Sequence, residues 1–105
     1  MSKMPTVTEE SFAREVLESK VPVLLDFGAT WCGPCRALEP VLEKLAAQLG
    51  DRVKVLAIDS DDSPAIAMKY KVRPVPTIIS FVGGQEHKRH TGVASLEVLN
   101  GLLPA

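Results

Sequence analysis

The two cysteines of the chain, Cys32 and Cys35, are the residues whose type and spacing point most directly to chemistry. An apolar run ends in a turn just before them, and the turn leads into a predicted helix. Two thiols three positions apart lie on one face of such a helix, so their sulfurs can meet. A disulfide over so few residues constrains little of the unfolded chain and is a poor structural crosslink. The spacing therefore predicts a disulfide that is made and broken during function.

The position of Cys32 at the start of the helix predicts that it is the nucleophile. The thiolate is the attacking species, and a free thiol with a pKa of about 8.5 is only about 3% ionised at pH 7. The unpaired N–H groups of a helix N-terminus stabilise the anion, and Arg36 adds a nearby cation. Cys35, one turn further, is expected to be more buried and to act as the resolving thiol. Gly33 lets backbone approach the sulfurs, and Pro34 suits a first helical turn.

Asp26 interrupts an otherwise apolar stretch at 21–27. One interpretation is a carboxyl exposed at a strand end. The other, which we favour, is a buried carboxyl whose pKa is raised because desolvation disfavours its charge. Such a group could accept a proton from Cys35 during resolution, directly or through water.

Two further features are candidates for the walls of the site. Trp31, the only tryptophan, directly precedes Cys32. A tryptophan usually belongs to a core, but this one follows a turn beside an exposed thiol, so we expect it to be half exposed. Val75-Pro76 is the second candidate, although a proline there is also compatible with an ordinary trans peptide at a strand start.

A Cys-x-x-Cys pair is also half of many zinc sites, which usually need four ligands. The chain has no second cysteine pair, and its only histidines, His87 and His90, belong to a predicted edge strand far along the chain. A simple c-type haem motif requires a histidine after the second cysteine, where this chain has Arg36. We therefore expect no bound cofactor or metal.

The bulk properties set the class of protein. The chain has 105 residues, is 46% hydrophobic and has a formal net charge of -1. We expect one domain over 1–105, active as a monomer. The charge gives no argument for binding nucleic acid or an anionic membrane, and no apolar run approaches the length of a membrane span. Residues 1–10 lack the apolar segment of a signal peptide, so we expect a cytoplasmic protein.

The pattern along the chain predicts the element order β-α-β-α-β-α-β-β-α. This is an α/β fold with a mixed sheet of about five strands and about four helices on its two faces. The cysteine helix begins at the carboxyl end of a central strand, where open α/β sheets place their sites. Met4, Met68 and the helical leucines are predicted to be core. Strands are expected at 4–7, 21–27, 53–58, 77–82 and 87–91, and helices beginning near Thr8, Cys32, Ser63 and Ser95, the second with a kink at Pro40.

The segment Trp-Cys-Gly-Pro-Cys-Arg at 31–36, with Asp26 upstream and Val-Pro-Thr at 75–77 downstream, resembles the thioredoxin family. The resemblance covers nearly the whole chain, including its length and element order. It implies a thioredoxin-like fold and a dithiol–disulfide oxidoreductase that reduces disulfides in client proteins. It also implies that thioredoxin reductase recharges the protein with electrons from NADPH.

The resemblance further implies how a client protein is bound. The peptide bond before Pro76 would be cis and packed against the two sulfurs. Backbone groups of Val75 would pair with an extended segment of the client. A shallow apolar groove would be completed by Trp31, Pro34, Gly92 and Val93.

Three positions depart from the usual family pattern. Gly28 replaces a large aromatic residue, Ala57 replaces a lysine near the buried acid, and Pro74 replaces a glycine. These changes bear on partner preference and redox potential and leave the cysteine chemistry intact. Two alternatives are a more specialised oxidoreductase of the same fold, which serves one partner or acts as an oxidant or isomerase, and a binding module that keeps the fold without catalysis. Retention of both cysteines argues against the binding module.

Overall fold

The computed structural model describes residues 4–105, and its five strands form one mixed sheet. The strand order is β1-β3-β2-β4-β5. β3 runs parallel to both β1 and β2, whereas β4 runs antiparallel to β2 and β5. The strands are β1 (Thr6–Val7), β2 (Val23–Gly28), β3 (Lys54–Asp59), β4 (Thr77–Val82) and β5 (Gln85–Thr91).

Four helices complete the fold over residues 4–105, so the predicted α/β class and element order are confirmed. The helices are α1 (Ala13–Leu17, of π type), α2 (Gly33–Leu49), α3 (Pro64–Lys69) and α4 (Leu96–Asn100). A single 3-10 turn, Gly50–Arg52, follows α2. Within 4–105, no helix has both the length and the apolar character needed to span a membrane.

Both faces of the sheet are covered, and β2, its middle strand, is therefore buried throughout its apolar part. Successive residues of a strand point to opposite faces. Leu25 and Phe27 therefore contribute to one core, which includes Phe12 and Phe81. Leu24 points the other way, into a core shared with α2 and α4. Asp26 and Gly28 follow the same alternation as Leu24, so the acid lies on the face that α2 covers.

The helix α2 is held by one apolar stripe and ends where the sequence predicts. Gly50 takes a φ of +56° at the helix end, a conformation that favours glycine, and its N–H donates to the Ala46 carbonyl. The helix continues through Pro40 as one element. Its buried residues are Cys35, Leu38, Leu42 and Leu45. This packing fixes the N-terminus of α2, and so the cysteines, against the end of β2.

The hairpin between β4 and β5 depends on two glycines. Gly83 and Gly84 have φ values of +60° and +81°, as the predicted turn requires. A Cβ on Gly84 would also lie 2.6 Å from the carbonyl oxygen of Leu17. The hairpin therefore packs its backbone directly against the end of α1.

The prediction that Met68 belongs to the core is wrong, because its side chain is 77% exposed. The short helix α3 packs through Ala67, which is buried, and partly through Ile66. Met68 follows Ala67 directly and so points to a different side of the helix.

Candidate active site

Cys32 and Cys35 are joined by a disulfide at the N-terminus of α2. Their Cα atoms are 5.3 Å apart. Cys32 is the residue that caps the helix, and the N–H of Cys35 donates to its Sγ at 3.1 Å. The N–H of Cys32 in turn donates to the Ala29 carbonyl at 3.2 Å, which closes the turn after β2. The predicted meeting of the two sulfurs is confirmed, and one of them receives a backbone N–H of the helix.

The expected difference in burial between the cysteines is wrong for this disulfide state. Cys32 is 3% exposed and Cys35 is 5% exposed, so Cys32 is not the more accessible residue. The carbonyl oxygen of Val75 lies 3.8 Å from the Sγ of Cys32 and covers it. Beside Cys35 the chain has Gly28, which carries no side chain. A Cβ placed there would be 3.6 Å from the Sγ of Cys35.

The loop that covers Cys32 has the predicted cis peptide bond between Val75 and Pro76. The hydroxyl of Thr77 donates to the Pro74 carbonyl at 2.7 Å. The N–H of Gly92 donates to the Pro76 carbonyl at 2.8 Å. These contacts join the loop to Gly92 at the end of β5. Of the expected groove residues, Val75 contacts Cys32, and Gly92 is hydrogen-bonded to Pro76, the residue after Val75.

The remaining groove candidates are exposed. Trp31 is 68% exposed, more than the half-exposed wall expected from the sequence. Its Nε1 donates to Oδ2 of Asp61 at 2.8 Å, which ties the indole to the loop after β3. Gly33, Pro34 and Val93 are also exposed. Asp61 was not predicted from the sequence, although the carboxyl ends of parallel strands such as β2 and β3 meet at one edge of a sheet.

Asp26 is buried, as favoured from the sequence, with 5% of its surface exposed. Its Oδ1 has no hydrogen-bond partner among the described residues. Burial, together with the negative charge of Glu39, raises the pKa of this carboxyl to about 7. Glu39 was not identified from the sequence, although it lies four residues after Cys35 and so on the same face of the helix. The role of Asp26 as a base stays a prediction.

The charges and possible metal ligands around the disulfide are few. The guanidinium of Arg36 donates to the Thr30 carbonyl at 2.9 Å, so this cation stays near the turn before the cysteines. His87 and His90 lie on β5, as predicted, at the far edge of the sheet. Across residues 4–105, no three His, Cys, Asp or Glu side chains are grouped so that they could hold a metal ion.

The thioredoxin family model matches residues 3–104. The chain belongs to the thioredoxin family. Thioredoxin 1 of Synechococcus elongatus is 47% identical over 85 residues, which cover 81% of this chain and 79% of that protein. The thioredoxin of Rickettsia felis is 43% identical over 97 residues, which cover 92% of this chain and 90% of that protein. An M-type chloroplastic thioredoxin of Chlamydomonas reinhardtii is 45% identical over 80 residues, which cover 76% of this chain and 57% of that protein.

Within the thioredoxin family, the paired cysteines give this chain its activity. The protein is a dithiol–disulfide oxidoreductase that acts on disulfide-containing client proteins through the Cys32–Cys35 disulfide. Thioredoxins use no bound cofactor, since the cysteine pair itself carries the two electrons in its reduced, dithiol form.

Proposed function

We propose that this thioredoxin reduces client proteins by attack of Cys32 on the client disulfide. The observation that carries the proposal is the N–H of Cys35, which lies 3.1 Å from the Sγ of Cys32 at the helix N-terminus. That N–H and the partial positive charge of the helix end stabilise the Cys32 thiolate once the disulfide is opened. The Cys32 thiolate attacks one client sulfur, forms a mixed disulfide and releases the other client sulfur as a thiolate, which takes up a proton.

Cys35 resolves the mixed disulfide with Asp26 as its base. Both residues line one cavity under α2, and a carboxyl with a pKa of about 7 can hold or release a proton near neutral pH. Asp26 accepts the thiol proton of Cys35, directly or through water. The Cys35 thiolate then attacks the Sγ of Cys32, re-forms the Cys32–Cys35 disulfide and releases the second client thiolate.

The client segment lies along the exposed residues around Cys32. The cis Val75-Pro76 loop offers backbone groups that can pair with an extended chain, and the carbonyl of Val75 already lies beside the Sγ of Cys32. A Cβ on Gly33 would meet nothing within 4 Å, so a client can approach here. The apolar contacts come from Trp31, Pro34, Gly92 and Val93.

The resulting disulfide is reduced again by thioredoxin reductase with NADPH, as the family membership suggests. We further propose that residues 1–105 work as one domain and as a cytoplasmic monomer. The modest net charge of -1 gives no reason to include nucleic acid or membrane among the partners.

The proposal is tested by NADPH-coupled reduction of a model protein disulfide with a bacterial thioredoxin reductase as electron donor. The wild-type chain should turn over many equivalents of substrate. Cys32→Ser should abolish exchange, whereas Cys35→Ser should attack once and accumulate a mixed disulfide that mass spectrometry detects. Normal turnover of Cys35→Ser would overturn the assigned roles. An inert wild-type chain would instead favour the non-catalytic binding module.

A further inference from the structure

A cavity of about 430 Å³ lies between the sheet and the first turns of α2, and the Val75-Pro76 loop is not part of its lining. Its floor is a row of register partners on three neighbouring strands, Thr6, Ala57 and Asp26. Gly28 and Asp59 form the next row, and they too are register partners. The helix contributes Cys35, Arg36 and Glu39.

The cavity leads to one sulfur of the disulfide and not to the other. A Cβ on Gly28 would touch only Cys35, at 3.6 Å from both its Cβ and its Sγ. Because position 28 has no side chain, that space is open from the cavity to the sulfur. Cys32 does not line the cavity, and its Sγ faces the Val75 carbonyl. The two sulfurs are therefore approached from different sides.

The sulfur beside the cavity, that of Cys35, is also the one whose attack expels the better leaving group. In thiol–disulfide exchange, a leaving thiol with a lower pKa departs faster. Attack on the Sγ of Cys35 expels the thiolate of Cys32, which accepts the N–H of Cys35 at the helix N-terminus. Attack on Cys32 would expel Cys35 beside the buried, acidic Asp26. This step rests on the proposed function, in which the helix end stabilises Cys32.

The charges of the cavity select what can enter. Four acidic side chains line it, against the single guanidinium of Arg36, which is already bonded to the Thr30 carbonyl. The buried Oδ1 of Asp26 has no hydrogen-bond partner among the residues described. An ammonium group would supply both a hydrogen bond and a positive charge to this oxygen. The four acids are Asp26, Glu39, Asp59 and Asp62.

We propose that this cavity is a second entrance to the disulfide, used by a small thiol that carries a positively charged amine. The ammonium group binds between Asp26 and Glu39, and the thiolate attacks the Sγ of Cys35. The Cys32–Cys35 bond breaks, a bond forms between Cys35 and the small thiol, and Cys32 leaves as a thiolate. A second small thiolate attacks the adduct and releases the Cys35 thiolate and a small disulfide. In the net reaction, one protein disulfide and two small thiols are converted into two protein thiols and one small disulfide.

The test measures reduction of the oxidised full chain by 2-aminoethanethiol and by 3-mercaptopropionate at equal thiolate concentrations, with acid quenching and mass spectrometry. The aminothiol should react at least about tenfold faster, because the acidic cavity attracts the ammonium and repels the carboxylate. Gly28→Leu places a side chain over the Sγ of Cys35 and should slow the aminothiol on the order of tenfold. Equal rates for the two thiols, or no effect of Gly28→Leu, would overturn the proposal.

A second variant, Glu39→Gln, tests the cavity independently in case Gly28→Leu does not fold. Glu39→Gln keeps the size of the side chain and removes one charge of the cavity, so it should reduce the rate ratio of the two thiols. The control Glu43→Gln makes the same change one turn further along α2, outside the cavity lining, and should leave that ratio unchanged. A ratio that falls equally in both variants would show a general effect of net charge and overturn the proposed site.

Single-cysteine variants assign the preference to one sulfur. In Cys32→Ser, Cys35 should form a mixed disulfide faster with cystamine than with 3,3′-dithiodipropionate, and Gly28→Leu added to it should remove that preference. In Cys35→Ser, Cys32 should show no preference for cystamine and no effect of Gly28→Leu. The same preference at Cys32 would contradict the proposal that the cavity leads to Cys35. Client reduction by the wild-type chain in the reductase-coupled assay is measured separately. Normal client reduction without amine preference refutes the cavity proposal alone, whereas loss of client reduction refutes the proposed function.

Discussion

Ala57 lies directly beside Asp26, because the two residues are register partners on the parallel strands β3 and β2. Register partners point to the same face of a sheet, so a methyl group is the neighbour of the buried carboxyl on this side. It offers neither a hydrogen bond nor a charge. The charge that does act on Asp26 is the negative one of Glu39. The apolar neighbour Ala57 and the negative charge of Glu39 both favour the protonated form of Asp26.

Asp26→Leu should stabilise the protein by an amount that grows with pH. An acid with a raised folded pKa binds more protons in the native state than in the unfolded state, so wild-type stability is lost as pH rises from about 4 towards 7. A pKa near 7 instead of 3.8 corresponds to at most about 4 kcal/mol of free energy of unfolding above pH 7. Urea denaturation of both proteins at pH 4, 6 and 8 measures the difference.

The control for this prediction is Asp51→Leu, which makes the same substitution at an exposed aspartate outside the site. It should not gain stability as pH rises. An Asp26→Leu protein that is no more stable than wild type at pH 8 would mean that the carboxyl is solvated. Asp26→Leu should also slow the resolving step more than the attack by Cys32. Single-turnover mixing with a protein disulfide can separate the rates of these two steps.

Ala57→Lys should lower the pKa of Asp26. An ammonium group within about 4–6 Å of a carboxyl lowers its pKa by roughly 1–3 units, and position 57 is next to Asp26 in the sheet. Carboxyl NMR titration of the oxidised protein measures the value directly. Ala57→Met is the matched control, because it fills similar space without a charge. A pKa that falls equally in both variants would contradict the electrostatic explanation.

The sequence was sufficient for those features that local rules and burial dictate. The apolar run of β2 predicted a strand covered on both faces, and Gly50 predicted the end of α2. Asp26 stood out because a carboxyl in such a run must be desolvated unless the strand ends early. The cis bond before Pro76 followed from the family resemblance, since a proline at a strand start is equally compatible with a trans bond.

The remaining features depend on contacts between distant parts of the chain. Cys32 contacts the carbonyl of Val75, 43 residues away, and the exposed indole of Trp31 donates a hydrogen bond to Asp61, 30 residues away. The exposure of Met68 depends on which side of the short helix α3 meets the sheet. The sequence identified Gly28 and Ala57 as departures from the family pattern, but their common cavity appears only when β2, β3 and α2 are assembled.

Gly84→Ala should destabilise the protein more than Gly83→Ala. Both glycines have positive φ, so each substitution costs roughly 1–2 kcal/mol of left-handed backbone strain. At Gly84 a Cβ would also lie 2.6 Å from the Leu17 carbonyl oxygen, whereas at Gly83 it would meet nothing within 4 Å. We expect an additional loss of about 1–3 kcal/mol at Gly84. Thermal and urea unfolding of both variants measures the difference, and equal losses would show that the hairpin does not pack tightly against α1.

Asp61→Ala should weaken client binding by releasing the indole of Trp31. The exposed hydrogen bond from Nε1 to Oδ2 contributes at most about 1 kcal/mol to stability, so the fold should persist. The indole would no longer be held in one orientation beside Cys32. The KM for a protein disulfide should therefore rise about threefold with kcat unchanged. Reductase-coupled kinetics measures this effect, and acrylamide quenching of the only tryptophan should increase.

Asp61→Asn separates the hydrogen bond from the charge. Its amide oxygen can still accept from Nε1 of Trp31, while the negative charge is gone. This variant should keep the wild-type KM and the wild-type quenching if the hydrogen bond positions the indole. If Asp61→Asn instead behaves like Asp61→Ala, the charge of the loop after β3 sets client affinity and the orientation of Trp31 does not.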